Sequence, residues 1–427
     1  MSCLDRFLYQ TFILVILLLT IEQIVCAKTI DNDLSKSILE FTLGFSRHHS
    51  ATDVVGRRSL VWSPLSLYAA MLMVGEGADG NTFKELQQIT HLDKKEAYRQ
   101  WSTKFFQDTK AALKENRQFN ISLNIANRLF ADDDFDLDDE FNQNLEKYYF
   151  SQLELLNFSE KEQSAKQINQ WIANQTNNVI KNVLKPKDIH SLTRLMLVNA
   201  LHFKAPWTRA FDADLTMKEN FTLSTGKLVE LQTMHMTAHF AYYHDKKHQS
   251  QWINLPYKGN NRYVLTLALP DKDIQLRTLE KKLLRNSKIL STIFGTLDNR
   301  TNVNTRVQLS VPKFRIESSL DFVQYFKQYY NVKLPFDGDL ADFSLMSSSR
   351  ERNLFISKII HKAVIDVDES GTEAAAVTII QMLSRSGMFL HEDPVRLTFS
   401  RPFLFYLRDI NLKVPLFVGR FTGISAS

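Results

Sequence analysis

Apolar residues recur every three to four positions through the first half of the chain, a spacing that predicts amphipathic helices. The first two predicted helices are Asn32–Phe45 and Pro64–Val74. Ser63 precedes the second, where its hydroxyl can accept a hydrogen bond from the free N–H groups of the first turn. The same spacing predicts further helices at Phe83–Ile89, Glu96–Leu113, Asp139–Tyr149 and Lys161–Ile180.

Short apolar or alternating runs, typical of strands, dominate the second half. Helices followed by strands indicate an α+β fold with large antiparallel or mixed sheets. No Pro/Gly/Ser-rich linker and no internal repeat divides the chain, which favours one continuous domain. The predicted strands are Leu195–Phe203, Trp252–Tyr257, Tyr263–Leu269, Val307–Val311, Leu404–Leu407 and Leu416–Phe421.

Residues 1–27 have the pattern of a secretory signal peptide. Arg6 precedes the apolar run Phe12–Leu19, and Val25-Cys26-Ala27 fits the small-residue rule for cleavage. We therefore expect a secreted, extracellular protein of residues 28–427. The apolar run is too short to span a bilayer, and no later stretch approaches about 20 apolar residues, so no membrane association is expected.

Cysteine content and charge narrow the class further. Cys3 and Cys26 both lie in the predicted signal peptide, so the mature chain depends on a large core and not on disulfides. The formal net charge of +5 is too small to favour nucleic acid as the main partner. Glycosylation is expected at Asn-x-Ser/Thr sequons, which must face solvent when occupied. The candidates are Asn120, Asn157, Asn174, Asn220 and Asn299.

Several motifs with possible chemistry have simpler explanations. The run 75–80 matches G-x-G-x-x-G, but it follows a predicted helix where a dinucleotide site needs a strand, so a helix end and turn is preferred. His235, His239, His244 and His248 recur at H-x3-H, yet their segment reads as strand and turn, which favours surface histidines over a metal site.

Two other patterns also argue against chemistry. The acidic segment "ADDDFDLDDEF" (131–141) lacks the central glycine of a calcium loop and reads as a solvated loop before a helix. No G-x-S-x-G elbow is present, which counts against a secreted hydrolase, the alternative from another class. The chain is therefore expected not to be an enzyme, and no cofactor is expected.

The segment Thr372–Leu383 is ambiguous between helix and strand. As a strand, its faces alternate, its leading residues are small, and no proline removes an N–H from the ladder. Such a strand can slide between two existing strands, with Gly371 as the pivot.

At this segment the sequence resembles the serpins, and the resemblance extends over nearly the whole predicted mature chain. "VDESGTEAAAVT" looks like their hinge, and further landmarks follow in family order. The landmarks are "VWSPLSLYAAMLMVGEGADGNTFKEL", "LVNALHFKAPWTRAFD", "INLPYKGN", "ISKIIHKAVIDVDE" and "RPFLFYLRD" with "PLFVGRF". The resemblance implies a serpin fold of about nine helices around three β-sheets, with an exposed reactive-centre loop at about 369–399.

The resemblance also implies a function. Serpins inhibit a serine protease by offering the loop as bait and then inserting the cut loop into the main sheet, a mechanism used once per molecule. The family places the bait bond after the seventeenth residue from the glutamate before the hinge, which here is Arg385, followed by Ser386. Arginine there predicts a trypsin-like extracellular protease as covalent partner. The hinge residues implied are Glu369, Gly371, Thr372, Glu373, Ala374, Ala375 and Ala376.

The resemblance assigns roles outside the loop as well. Trp207 matches the tryptophan at the opening end of the sheet, and Lys313 with Glu369 matches a pair that holds the loop's entry point. A polar cluster is implied beneath the main sheet, where strands must part: Ser63, Ser66, Asn199 and His361.

Some questions stay open from the sequence. A non-inhibitory serpin, a carrier or chaperone, is the main alternative, although the small hinge residues favour inhibition. Lys110, Lys114 and Arg117 are spaced to share a helix face, so they are either glycosaminoglycan contacts or a solvated face. We expect a monomer, and the signal peptide with a cysteine-free mature chain suggests an invertebrate protein.

Overall fold

The computed structural model describes residues 35–47, 58–190, 192–299, 305–352, 354–372 and 393–423. The described residues contain nine α-helices, numbered α1 to α9 in chain order. Their bounds are 35–47, Pro64–Gly77, Gly80–Thr90, Lys95–Glu115, Asp139–Asn144, Lys161–Gln175, Leu276–Leu283, Ser287–Asp298 and Val323–Tyr329.

Fifteen strands lie in the same part of the chain and are numbered β1 to β15. Their bounds are Leu60–Trp62, Ser122–Asp132, Leu153–Leu156, Leu195–Pro206, Met217–Thr222, Leu228–Asp245, Ser250–Pro256, Tyr263–Pro270, Thr305–Pro312, Phe314–Asp321, Ile356–Val367, Gly371–Thr372, Val395–Thr398, Phe403–Asp409 and Val414–Phe421.

The strands form one six-stranded sheet and one nine-stranded assembly. The six-stranded sheet, called the main sheet here, has the order β10-β11-β12-β4-β2-β3. The other has the order β1-β15-β14-β8-β7-β6-β9-β13, with β5 also on β6. Strand β6 pairs with β5 and β9 over its first part and with β7 from Ala241 onward, so it bridges two sheets. Counted that way, the part of the chain that the structure describes has three sheets and nine helices, as the serpin resemblance implied.

Helix α2 forms the centre of the core. All of its residues are buried, and it contacts β15, β4 and β2 from both sheet systems. A helix that is apolar on every side belongs inside a protein. Glu76 is its one charged residue, and it accepts hydrogen bonds from Arg99 and from Tyr149 Oη at 3.0 Å. The helix therefore ties both sheets together.

The helices predicted from apolar spacing are confirmed, with shifted ends. Lys161–Ile180 ends earlier, at Gln175, because Asn177 and Asn178 have left-handed backbone angles with φ of 50° and 63°. Asp139–Tyr149 starts as α5 and continues as a wider turn at Leu145–Tyr149. The six predicted strands are present as β4, β7, β8, β9, β14 and β15, whereas β1, β2, β3, β5, β10, β11 and β13 were not predicted from the sequence.

The glycine run at 75–80 and the four spaced histidines have structural positions in the fold. Gly75 and Gly77 lie in the last turn of α2, where an added Cβ would be 2.3 Å from Tyr98 and from Met346 respectively. The histidines lie on β6 and the turn after it, and His244 and His248 contact Asp271 and Asp245. Within the described ranges no group of three His, Cys, Asp or Glu side chains is arranged to hold a metal. None of the helices described combines the length and apolar character needed to cross a bilayer.

Candidate functional site

A tight turn joins β11 to the two-residue strand β12. The Asp368 N–H donates to Gly371 O at 3.0 Å, and the Asp368 carboxylate accepts from the Ser370 and Gly371 N–H groups at 2.8 and 3.1 Å. Burial raises the pKa of Asp368, although these backbone donors oppose the shift. We call Val367–Thr372 the hinge turn. It places β12 antiparallel between β11 and β4.

Gly371 is required by close backbone packing. A Cβ there would lie 2.2 Å from Ala205 O and 2.7 Å from Pro206 Cα, distances that no side chain can occupy. Beyond any role as a pivot, Gly371 therefore lets the chain enter the narrow space beside β4.

Thr372 is already inside the main sheet. Its side chain is 1% exposed and its Oγ1 lies 2.6 Å from Tyr257 Oη. Trp207 covers this pair, stacking on Tyr257 with ring centroids 4.3 Å apart. The Trp207 indole N–H donates to Asp368 O at 2.9 Å, and its backbone N–H donates to Ser370 O at 3.0 Å. The tryptophan therefore locks the hinge turn to the end of β4.

A charged contact holds the outer side of the hinge turn. Glu369 Oε2 lies 2.7 Å from Lys313 Nζ, and Glu369 Oε1 accepts from Thr216 Oγ1 at 2.8 Å. Burial alone would raise the pKa of Glu369, but the hydrogen bonds from Lys313 and Thr216 outweigh it and the pKa is lowered. The backbone of Phe211 adds a bond to Glu369 O at 2.8 Å.

Below β12 the two neighbouring strands close on each other. Strands β4 and β11 pair in parallel from Leu195 with Ile356 to His202 with Val364. Thr372 is the last described residue before that closed ladder. A longer inserted strand would have to separate these pairs, one rung after another.

A buried polar cluster lies midway along the ladder, where Asn199 of β4 is the register partner of His361 of β11. The Ser63 N–H donates to His361 Nε2 at 2.9 Å, so Nε2 carries no proton and Nδ1 donates to Asn199 Oδ1. Ser66 Oγ donates to the same Asn199 oxygen at 2.9 Å. Asn199 Nδ2 in turn donates to Asn127 Oδ1 on β2. The cluster of Ser63, Ser66, Asn127, Asn199 and His361 thus links α2 to three strands.

Burial keeps His361 neutral. The side chain is inaccessible to solvent and lies edge-on to Phe322, with centroids 5.5 Å apart. Desolvation lowers its pKa from 6.5 to about 3 because no described carboxylate compensates a charge there. The neutral ring can both accept and donate, which is what its two partners require.

The structure brings most of the sequence-derived site residues together. Trp207, Lys313 and Glu369 converge on the hinge turn, and Ser63, Ser66, Asn199 and His361 meet in the cluster. The residues Glu373 to Ala376, Arg385 and Ser386 lie outside the described residues. The five sequon asparagines are all exposed, and so are Lys110, Lys114 and Arg117 at the end of α4.

Four contributors escaped the sequence analysis: Asn127, Thr216, Tyr257 and Asp368. Tyr257 was counted only as the end of a predicted strand. Asn127 sits in a strand that was not predicted, so its inward position had no signal. The roles of Asn127, Thr216 and Tyr257 depend on partners more than 70 residues away along the chain, whereas the Asp368 carboxylate binds the nearby N–H groups of Ser370 and Gly371.

Comparison with known proteins gives a consistent result. The sequence model described as "Serpin (serine protease inhibitor)" matches residues 36–424. Serpin B6 of Macaca fascicularis is 32% identical over 369 residues, covering 86% of this chain and 93% of the relative. Serpin48, a highly specific serpin of the insect Tenebrio molitor, has a crystal structure with a TM-score of 0.77 at 28% identity, covering 92% of this chain and 99% of that one. Native protease nexin-1 with heparin gives 0.76 at 25% identity, covering 91% and 99%.

The neutral state of His361 predicts a loss of stability in acid. Below about pH 6.5 the unfolded chain binds a proton that the buried ring, with a pKa of about 3, does not bind. The contribution is therefore complete above pH 6.5 and declines as the pH falls, by up to about 1.4 kcal/mol per unit. Urea unfolding between pH 7 and 5 measures this slope. The slope should flatten in His361→Gln and persist in His190→Gln, a change at an exposed histidine; equal slopes in all three proteins would contradict the assignment.

The Tyr257–Thr372 contact predicts a difference between two tyrosines. Tyr257→Phe leaves the buried Thr372 hydroxyl without its partner and should lower the free energy of unfolding by about 1 kcal/mol. Tyr263 is equally buried, but its hydroxyl has no partner among the described residues, so Tyr263→Phe is the matched control and should cost little. Thermal unfolding measures stability, and the fluorescence of Trp207 should report release of the hinge turn. A larger loss in the control variant would refute the role given to this contact.

Proposed function

The chain belongs to the serpin family, and we propose that it is a secreted inhibitor of trypsin-like serine proteases that acts once and is not an enzyme. The main observation that supports this proposal is the position of β12. Gly371 and Thr372 occupy the first two positions of a strand between β4 and β11, antiparallel to both. The chain that follows Thr372 leads to the proposed bait, and its continuation along the same path would form a complete strand.

The proposed reaction begins at the Arg385–Ser386 bond. The hydroxyl of the protease serine attacks the Arg385 carbonyl, the C–N bond breaks, and the new amino group of Ser386 takes the proton. The protease is then held as an ester on Arg385. Cleavage separates the segment that runs from Thr372 to Arg385 from the part of the loop that leads to β13. The freed segment can then follow β12 into the main sheet.

Strand insertion has a clear driving force in this geometry. The β4–β11 contact is a single parallel ladder, whereas an inserted strand would make two antiparallel ladders, one with each neighbour. The opposing cost is the separation of His361 from Asn199, which lie on the two sides of the path. Small residues at Ala374–Ala376 reduce the steric barrier at the start. Insertion carries the attached protease away and distorts its active site before water releases it.

The remaining assignments are part of the same proposal. Residues 1–27 are a signal peptide, residues 28–427 form one domain, and about 369–399 form the reactive-centre loop. Arg385 selects trypsin-like proteases because its guanidinium pairs with the aspartate at the base of their specificity pocket. The exposed sequons are glycosylation sites of an extracellular monomer.

A glycosaminoglycan is a second proposed partner, and three exposed basic side chains near the end of α4 support it. Lys110 and Lys114 lie one turn apart on α4, Arg117 follows directly, and all three are exposed. The crystal structure of protease nexin-1, which is similar to this one, was solved with heparin. Heparin affinity chromatography of wild type and Lys110→Ala/Lys114→Ala tests this contact.

The bait assignment predicts the effect of one substitution. Arg385→Ala should abolish inhibition of trypsin, because the specificity pocket loses its charged anchor, while folding is unchanged. Wild type should give an SDS-stable complex and a released peptide that begins at Ser386. N-terminal sequencing of that peptide measures the register; a start at any other residue, or an active Arg385→Ala protein, would show that the bond is misplaced.

The insertion step predicts that Thr372→Arg turns the inhibitor into a substrate. Arginine at this buried position places a guanidinium against Tyr257 and the β4 backbone, in a space that threonine fills, at a cost of several kcal/mol. The bond after Arg385 should still be cut, but slow insertion lets water release active protease. Thr278→Arg, at an exposed position of α7, should trap protease normally. SDS gel electrophoresis measures the ratio of covalent complex to cleaved inhibitor for each variant. Equal yields of complex from Thr372→Arg and Thr278→Arg would exclude insertion at Thr372.

A further inference from the structure

Exposed basic side chains gather around β13, the strand in which the proposed reactive-centre loop ends. We call its first residue, Val395, the C-terminal root of the loop, and it pairs with Val307 of β9. One rung away, Arg306 is the register partner of His239 on β6. Arg396 pairs with Gln308, which lies two residues from Arg306. His239, Arg306 and Arg396 therefore share one exposed face of the sheet.

The two arginines are close enough to act as one charge cluster, with His239 as a polar neighbour. Direct strand partners lie about 5 Å apart and diagonal ones roughly 8 Å, which is within the Debye length of about 10 Å at 0.1 M salt. None of the three forms an ion pair with another described residue. Glu219, the acid on the neighbouring edge strand, is engaged by His235 at 3.5 Å. Asp393 is exposed and lies two residues before Val395, so it reduces the local charge without cancelling it.

A third arginine extends the cluster toward the other root of the loop. Arg209 is exposed and lies between Trp207 and Phe211, both of which donate backbone hydrogen bonds to the hinge turn. Arg209 and His239 line the same cavity of about 110 Å³, whose floor includes Phe211. Arg209, His239, Arg306 and Arg396, here called the basic strip, thus run from one root of the loop to the other.

We propose that the basic strip is a second docking surface for the target protease and selects proteases with acidic residues beside the active-site cleft. The inference rests on the proposed function, because a protease bound to the loop must stand over the surface between its roots. Complementary charge at such a place accelerates encounter more than it strengthens the final complex. The strip would therefore determine which trypsin-like protease is trapped fastest. Arg385 cannot make this distinction, because all trypsin-like proteases accept arginine in their specificity pocket.

A protease is favoured over a polyanion at this surface for a positional reason. A polyanion bound between the roots would occupy the area over which the protease must sit, whereas Lys110 and Lys114 lie on a different element. The test therefore includes heparin as the competing occupant.

Trypsin isoforms provide the probe, since an anionic and a cationic trypsin share specificity for arginine but differ in surface charge. Wild type should react roughly tenfold faster with the anionic isoform at about 0.05 M salt, and the advantage should shrink at about 0.5 M. Arg306→Ala/Arg396→Ala should lose most of that advantage while complex yield and stoichiometry stay unchanged. The matched control is Lys166→Ala/Lys181→Ala, which removes the same charge at exposed positions on and after α6 and should keep the advantage.

The outcomes separate this inference from the function on which it rests. If wild type forms SDS-stable complexes but the Arg306→Ala/Arg396→Ala protein reacts at wild-type rates with both isoforms, the strip proposal is wrong and the inhibitory function stands. If Lys166→Ala/Lys181→Ala slows the reaction with the anionic isoform as much as Arg306→Ala/Arg396→Ala does, the rate depends on net charge and not on the strip. That result also overturns the strip proposal. Loss of heparin affinity without any change in either rate would identify a polyanion site instead. If wild type traps neither isoform, the proposed function fails and the strip proposal fails with it.

Discussion

The parallel ladder between β4 and β11 is the contact on which the rest of this structure depends. It satisfies the facing backbone groups of both strands, yet an antiparallel strand placed between them would satisfy the same groups and pair its own two edges as well, so that one ladder becomes two. Strand β12 already does so over Gly371 and Thr372 at one end of the main sheet. A fold with such a ladder is complete and still able to accept more chain, provided that something delays the opening.

In the proposed mechanism, two sets of contacts control that opening at different depths. At the entrance, Trp207 caps the hinge turn while Lys313 and Thr216 hold Glu369, so the first two residues are seated and the chain beyond them starts from a defined point. Deeper in the sheet, His361 and Asn199 join the two strands across the path. Because His361 is neutral, this link needs no buried counterion and can break without leaving a charge unpaired.

Helix α2 explains how one sheet can open while the fold persists. It is buried on every side and packs on β15 of the nine-stranded assembly as well as on β4 and β2 of the main sheet. Ser63 and Ser66, at its start, reach the polar cluster from this fixed support. If the main sheet opens as proposed, its strands part above a helix that also packs on the nine-stranded assembly. His239, Arg306 and Arg396 of the basic strip lie on β6, β9 and β13 of that assembly, whereas Arg209 follows β4 of the main sheet.

Apolar spacing by itself determined six of the nine helices described, six of the strands and the α+β class, because these depend on which face each segment buries. The ordered landmarks identified the family and, through it, Trp207, Lys313, Glu369 and the residues of the polar cluster other than Asn127. Tertiary structure decided the rest. Asn127, Thr216 and Tyr257 have ordinary local surroundings, and their roles come from partners distant in the chain. Gly371 reads as a hinge in sequence, but only the approach of Ala205 O to within 2.2 Å of its absent Cβ shows why no side chain fits. Likewise, the strand register alone places His239 beside Arg306, since hydrogen bonds between remote strands determine which charges meet.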